Sequence, residues 1–261
     1  INTVSIVGPT ASGKTKLSVE LAKHFNGEIV SADSMQIYRG MQIATAKPTK
    51  EEMDGIPHHM MDFLPPDKTY SVASYVTDAS KCIADIHSRG KLPFIVGGTG
   101  LYVDSLLNNV SFSDDKRDEE YCLELRKIAE EHGTDRLLEM LAKFDPKSAD
   151  RLRESRNLKR IIRAIEFYKT TGKTITQQIE ESYKIPSPYI TVKIGLNCRD
   201  RQVLYDRINK RVDIMLEEGL LEEAERVINS DLSYTSIKAI GYKELIPYFK
   251  ENKNLNDCVE K

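Results

Sequence analysis

Apolar and polar residues follow two rhythms in the first part of the chain. Thr3-Val4-Ser5-Ile6-Val7 is a short β-branched run, and beyond a glycine-rich turn Leu17, Leu21 and Phe25 recur at helical spacing. The pattern predicts strand, loop, helix. A second apolar run, Glu28 to Asp33, ends on a carboxylate, and a third, Leu92 to Val96, ends on Gly97-Gly98-Thr99-Gly100. Between them, Val72, Tyr75, Val76, Ala79, Ile83 and Ile86 make the apolar stripe of an amphipathic helix over 71–88. Strands alternating with helices imply a parallel sheet covered on both faces.

From Asp114 to about Ser182 only the helical period persists, with breaks at Gly133, Asp145-Pro146 and Gly172-Lys173. Pro186-Ser187-Pro188 closes this stretch, and Tyr189 to Leu196 returns to a strand pattern that belongs to the same sheet. A helix from Arg199 to Glu218 follows, with Leu204, Ile208, Val212 and Met215 turned inward and Gly219 as its break.

Gly8-Pro9-Thr10-Ala11-Ser12-Gly13-Lys14-Thr15 reads as a glycine, four variable residues, then Gly-Lys-Thr, set between a predicted strand and a predicted helix. Such a loop folds its amides around an anion at a helix N-terminus. Lys14 adds a full charge, and Thr15 is placed to hold Mg²⁺. The competing reading is a chance match in an ordinary turn, and the flanking strand and helix weigh against it. The expected fold is α/β: a P-loop parallel sheet covered by helices and interrupted by an all-helical insert domain. The first part of the core is placed at 1–111, the insert at 112–188 and the second part of the core at 189–261.

Composition changes this picture little. With 261 residues, 40% apolar and 30% charged, the chain has the make-up of an ordinary globular protein. No run approaches the roughly 18 apolar residues of a membrane span. The net charge of −2 does not announce a nucleic-acid binder, so any such surface must come from local clustering. Arg151, Arg153, Arg156, Lys159, Arg160 and Arg163 supply one. Four scattered cysteines match neither a metal site nor a disulfide framework and point to a reducing cytoplasm. The adjacent His58 and His59 point different ways on any regular element and are read as structural.

A phosphate cradle does not name a reaction. A GTPase would carry Asn-Lys-X-Asp, but Asn209-Lys210-Arg211-Val212 and Asn252-Lys253-Asn254-Leu255 both lack the aspartate. A small-molecule kinase stays open, since it too pairs this cradle with a carboxylate and clamping arginines.

The segment from Ser31 to Met41, Ser-Ala-Asp-Ser-Met-Gln-Ile-Tyr-Arg-Gly-Met, narrows the choice, together with Ala44-Thr45-Ala46-Lys47-Pro48-Thr49 and Pro57-His58-His59-Met60-Met61-Asp62. So do Val96 to Tyr102, Arg160 to Glu166 and Ile240-Gly241-Tyr242-Lys243-Glu244. In these motifs and the P-loop, the chain resembles the bacterial tRNA dimethylallyltransferases over nearly its whole length.

The resemblance implies transfer of a dimethylallyl group from dimethylallyl diphosphate to N6 of the adenosine 3′ of the anticodon, with loss of pyrophosphate. Gly8 to Thr15 would cradle the diphosphate with Mg²⁺ at Thr15, so an ATP-binding reading of the motif is not required. Asp33, Thr99 and Arg211 are the implied catalytic residues. Asp33 would take the N6 proton and orient the amine, the alternative being a Mg²⁺-shell ligand or a helix cap. Thr99 would approach the base, the alternative again being a helix cap.

Arg211, with Arg207 one turn away on the same face, would grip the diphosphate, or both would pair with exposed carboxylates. Ser34, Met35 and Gln36 align with the base-contacting segment, although Met35 also suits a core. Lys159, Arg160, Ile161, Ile162 and Arg163 are implied contacts of the tRNA anticodon stem-loop, as are Lys238, Ala239, Ile240, Gly241, Tyr242 and Lys243. A solvated helix face is the competing role for each arginine of the insert. Bacterial members continue into a further basic helix, and nothing is carried over from it or at Cys122. The expected protein is a cytoplasmic monomer without a membrane segment. The rival activities are an adenylate isopentenyltransferase acting on free AMP, ADP or ATP, a P-loop kinase, and a non-catalytic RNA-binding module.

Overall fold

The computed structural model describes residues 2–110, 118–230, 236 and 239–259. Lys238, one of the implied RNA contacts, lies outside them. In order, the elements of the first stretch are β1 (Thr3–Val7), α1 (Lys14–His24), β2 (Gly27–Ser31), α2 (Lys50–Met53), β3 (His58–His59), α3 (Val72–Ser88), β4 (Leu92–Gly97) and α4 (Gly100–Leu107). Four helices follow, α5 (Glu119–Ala142), α6 (Pro146–Arg153), α7 (Leu158–Thr171) and α8 (Ile175–Lys184). The chain continues with β5 (Thr191–Gly195), α9 (Arg201–Glu217), α10 (Leu220–Ile228), α11 (Tyr242–Glu251) and α12 (Leu255–Val259). Residues Ile1–Leu107 and Pro188–Lys261 form one compact unit, and Asn108–Ser187 form another.

In the first unit the strands order as β3-β2-β4-β1-β5, and each neighbouring pair is parallel. Successive side chains of a strand face opposite ways. Ile29 of β2 and Phe94 of β4 therefore join Val4, Ile6, Val19 and Ala22 under α1. Val30 and Ile95 join Tyr75, Ala79, Ile83 and Ile86 of α3 on the other face. A third cluster packs Ile37, Tyr38 and Met41 against α10 and α11 through Leu220, Ala224, Val227, Tyr242 and Leu245. The fold is the expected helix-covered parallel sheet.

Two helices differ from their sequence patterns. The buried face of α1 is Ser18, Val19 and Ala22, while Phe25 lies beyond the helix and is exposed. The stripe of α9 is only half-buried, and no residue of that helix is fully covered, because α9 packs mainly beside α10 rather than on the sheet.

Among its described residues the second unit has helices as its only regular elements. Gly133 breaks α5 with φ 78° and ψ 164°, Asp145 caps α6 ahead of Pro146, and Gly172 ends α7 in the left-handed conformation. Leu125, Leu137, Leu141, Leu152, Ile161, Ile162 and Ile165 form its core.

Candidate active site

Because the strands run parallel, the chain leaves β1, β2 and β4 along one edge of the sheet. Gly8 follows β1, Asp33 lies just past β2, and Thr99 lies just past β4. This is where open α/β sheets place their ligands.

The P-loop leads into α1 through Gly13, which holds φ 90° as the N-terminal cap and supplies no side chain. A residue with Cβ is strained there. Among the described residues no side chain caps α1, so its first amides remain available to an anion. Within the loop, Ser12 Oγ is buried and has no hydrogen-bond partner among the described residues. Lys14 Nζ donates to the carbonyls of Gly8 at 2.9 Å and Pro9 at 2.7 Å. An ammonium has three protons, which leaves one for a phosphate oxygen. Burial lowers the Lys14 pKa; Asp33 works against that shift and Arg211 works with it. For Arg211 the same desolvation dominates, opposed by Glu52, Asp33 and Glu218. Lys14, Asp33 and Arg211 thus share one electrostatic neighbourhood. Arg207 is exposed one turn before Arg211.

Asp33 divides its carboxylate. Oδ1 accepts the amides of Met35 at 2.9 Å and Gln36 at 3.4 Å, and Oδ2 accepts none among the described residues. Thr99 Oγ1 accepts Ser34 N–H at 3.0 Å and lies 3.3 Å from Ser34 Oγ, and among the described residues it accepts no amide of α4. Met35 packs against the third cluster. Gln36 donates from Nε2 to the carbonyls of Thr45 at 3.2 Å and Ala46 at 3.1 Å, and its Oε1 accepts from Ser31. The amide is thus fully engaged inside the protein. Contacting the base, as its place in the aligned segment implies, would require Gln36 to exchange these bonds.

Thr15 faces a cavity of about 30 Å³ whose polar walls include Ser18, Ser31, Gln36 and His58. No three His, Cys, Asp or Glu side chains among the described residues are grouped to hold a metal. A hard cation at Thr15 would need phosphate oxygens as its other ligands, the arrangement Mg²⁺ favours. His58 is held by Ile56 O at 2.8 Å, and burial lowers its pKa. His59 pairs with Glu28.

Several implied RNA contacts take other places. Ile161 and Ile162 are buried in the insert core, and Ala239 and Tyr242 in the third cluster, so their side chains are not available to RNA. Helical and turn geometry explains this, since neighbours in a motif point in different directions. Arg160, Ile240 and Lys243 are exposed. Arg163 Nη1 donates to the fully buried Glu166 at 2.5 Å, which makes it the partner of a core carboxylate.

Sequence reading missed Glu223. This buried carboxylate accepts the consecutive amides of Gln42, Ile43 and Ala44 and the hydroxyl of Tyr242. The signal was a charge three residues after Leu220, inside the apolar stripe Leu220, Ala224, Val227.

The family model described as IPP transferase matches residues 36–261, and that of isopentenyl transferase matches residues 1–63. A tRNA dimethylallyltransferase of Halalkalibacterium halodurans is 49% identical over 98% of this chain and 82% of its own length. One from Bacillus cereus is 51% identical over 97% of this chain and 80% of its own. Among solved structures, the full-length tRNA isopentenylpyrophosphate transferase of Bacillus halodurans superposes with a TM-score of 0.70 at 46% identity, covering 100% of this chain and 81% of that one. A eukaryotic dimethylallyltransferase acting on tRNA gives 0.77 at 30% identity, covering 99% of this chain and 65% of that one. A P-loop that opens directly into α1, a strand-end carboxylate beside it and a match running through the whole chain have one common source: the chain belongs to the IPP transferase family.

Proposed function

We infer that the protein is a tRNA dimethylallyltransferase: it moves a dimethylallyl group from dimethylallyl diphosphate to N6 of the adenosine 3′ of the anticodon and releases pyrophosphate. The observation that carries this reading is the divided carboxylate of Asp33, anchored through Oδ1 and open at Oδ2, beside the cradle of Lys14 and Arg211.

In the reaction the C1–O bond of the donor breaks and a bond from N6 to C1 forms. The electron pair of the broken bond leaves with pyrophosphate, and the N6 proton passes to Asp33 Oδ2. The adenine amine is a weak nucleophile, so holding its lone pair toward C1 matters as much as accepting the proton. Negative charge grows on the leaving group, where the α1 amides, Lys14 and the Arg211 fork are set to stabilise it. Mg²⁺, held by Thr15 together with the diphosphate, would further neutralise that charge. Thr99 holds the turn that carries Asp33 through Ser34 N–H. Arg160 and Lys243 are exposed and suited to RNA phosphates. Free cysteines support a reducing cytoplasm as the place of action, and we take the enzyme to act as a monomer. No helix among the described residues is long and apolar enough to cross a membrane.

The rival acceptor is free AMP, ADP or ATP. Relatives that carry tRNA in their names, at about half identity over nearly the whole chain, favour tRNA. Labelled dimethylallyl diphosphate offered with unmodified tRNA, with AMP or with no acceptor tests the choice. Label is expected in tRNA. Label in AMP alone would establish the rival, and phosphate transfer from ATP would establish a kinase.

A further inference from the structure

We propose that Glu223 is a positioning residue of the transfer reaction. Its carboxylate fixes the 41–47 loop so that this loop's carbonyls seat Gln36 and Arg211, and Tyr242 ties the Ile240–Lys243 segment to the same point.

Glu223 is 4% exposed. Oε2 accepts Gln42 N–H at 2.8 Å, Oε1 accepts Ala44 N–H at 3.0 Å, and both oxygens share Ile43 N–H, at 2.9 and 3.0 Å. Consecutive amides converge on one anion only when the backbone curls around it. The curl is completed by Ala46 N–H donating to Ile43 O at 2.8 Å and by a left-handed Ala46 with φ 50°. With the amides of 42–44 committed to Glu223, the carbonyls that follow turn to other partners. Thr45 O and Ala46 O receive Gln36 Nε2, and Ala46 O also receives Arg211 Nη2 in a long contact of 3.5 Å. Gln36 N–H in turn reaches Asp33 Oδ1 at 3.4 Å. One carboxylate therefore stands behind both the base and the arginine assigned to the diphosphate.

The fourth donor is Tyr242 O–H, 2.7 Å from Oε1. A second close approach joins the same parts, since a Cβ on Gly241, at φ 98°, would lie 2.9 Å from Ala44 Cβ. The exposed Ile240 and Lys243 flank these contacts. Apolar packing could hold the loop without the cost of desolvating an anion. What the carboxylate adds is a fixed direction for three amides, and through them for the carbonyls beyond.

The role rests on the proposed diphosphate assignment of Arg211, and a double-mutant cycle separates the two. Binding of inorganic pyrophosphate with Mg²⁺ is measured by calorimetry on the wild type, Arg211→Ala, Glu223→Gln and the double variant. A carboxamide cannot accept four donors, so Glu223→Gln is expected to weaken pyrophosphate about tenfold. In the Arg211→Ala background it should add less than about twofold. Full additivity, with the Arg211 effect intact, overturns the role of Glu223 alone. Absence of any Arg211 effect overturns the diphosphate assignment and this role with it. Glu223→Asp, which keeps the charge but retracts it, carries the same cycle if Glu223→Gln does not fold. Tyr242→Phe removes only the last link and should raise the KM for tRNA about fivefold while pyrophosphate affinity holds within about twofold. An unchanged KM overturns the tie to the Ile240–Lys243 segment.

Discussion

Thr99 Oγ1 accepts the backbone N–H of Ser34 at 3.0 Å, joining the end of β4 to the turn beyond β2 across 65 residues of sequence. That turn carries Asp33, whose Oδ1 holds the following amides. The carboxylate is thus fixed from two sides before any substrate arrives.

Replacing Thr99 tests the first of these supports. Thr99→Val keeps the shape and removes the acceptor, leaving Ser34 N–H without it at a cost of about 1–3 kcal/mol. Thr99→Ser retains the oxygen and should recover most of that loss in urea unfolding. Equal stabilities of the two variants would remove Thr99 from this role.

For Asp33→Asn, Oδ1 can still accept Met35 N–H, so the turn persists while the proton acceptor is lost. Single-turnover prenylation at saturating donor is expected to fall by about 10²–10⁴, with pyrophosphate affinity nearly unchanged. A rate equal to that of the wild type would end the assignment of Asp33 as base.

Away from the site, Glu28 sits at the start of β2 with Arg89, Lys91 and His59 around it. The Arg89 hydrogen bonds, foremost, hold its carboxyl well below the ordinary 4.5, with Lys91 and His59 adding to the shift and burial opposing it. A depressed carboxylate pKa contributes stability that is present above the unfolded value and is lost as pH falls toward the folded one. Glu28→Gln should therefore cost about 3 kcal/mol at neutral pH. It should also flatten the stability profile below about pH 4.5. Parallel acid profiles for the two proteins would contradict this.

In the insert, Arg163 and Arg160 should separate cleanly. Arg163→Ala leaves the buried Glu166 without its cation and is expected to destabilise the protein by about 2 kcal/mol, reduced by the partial exposure of the arginine. Arg160→Ala should leave the melting temperature in place, weaken tRNA binding and lower its salt dependence by about one counterion. The reverse pattern would exchange the two roles.

The chain's own pattern made the strands β1, β2, β4 and β5 legible, with the P-loop after the first, the carboxylate after the second and the glycines after the third. It also marked the breaks at Gly133, Asp145-Pro146 and Gly172, because each is a local demand of the backbone. Less was legible where a residue's job depends on a distant partner. Arg163 reads like Arg160 in sequence, and only the position of Glu166 tells them apart. Met35 and Gln36 sit in a recognisable motif, yet one packs into a core and the other is held by Thr45 and Ala46.

Local periodicity, turn chemistry and motif spacing thus determined the class of fold, the glycine-rich loop that opens into α1 and the family resemblance, since each of these depends on residues a few positions apart. Only the tertiary structure decided that Thr99 reaches Ser34, that Glu223 gathers the amides of 42–44, and that Ile161, Ile162, Ala239 and Tyr242 face inward. Those outcomes follow from strand order and helix packing, which bring together groups separated by tens to nearly two hundred residues and which no local pattern records.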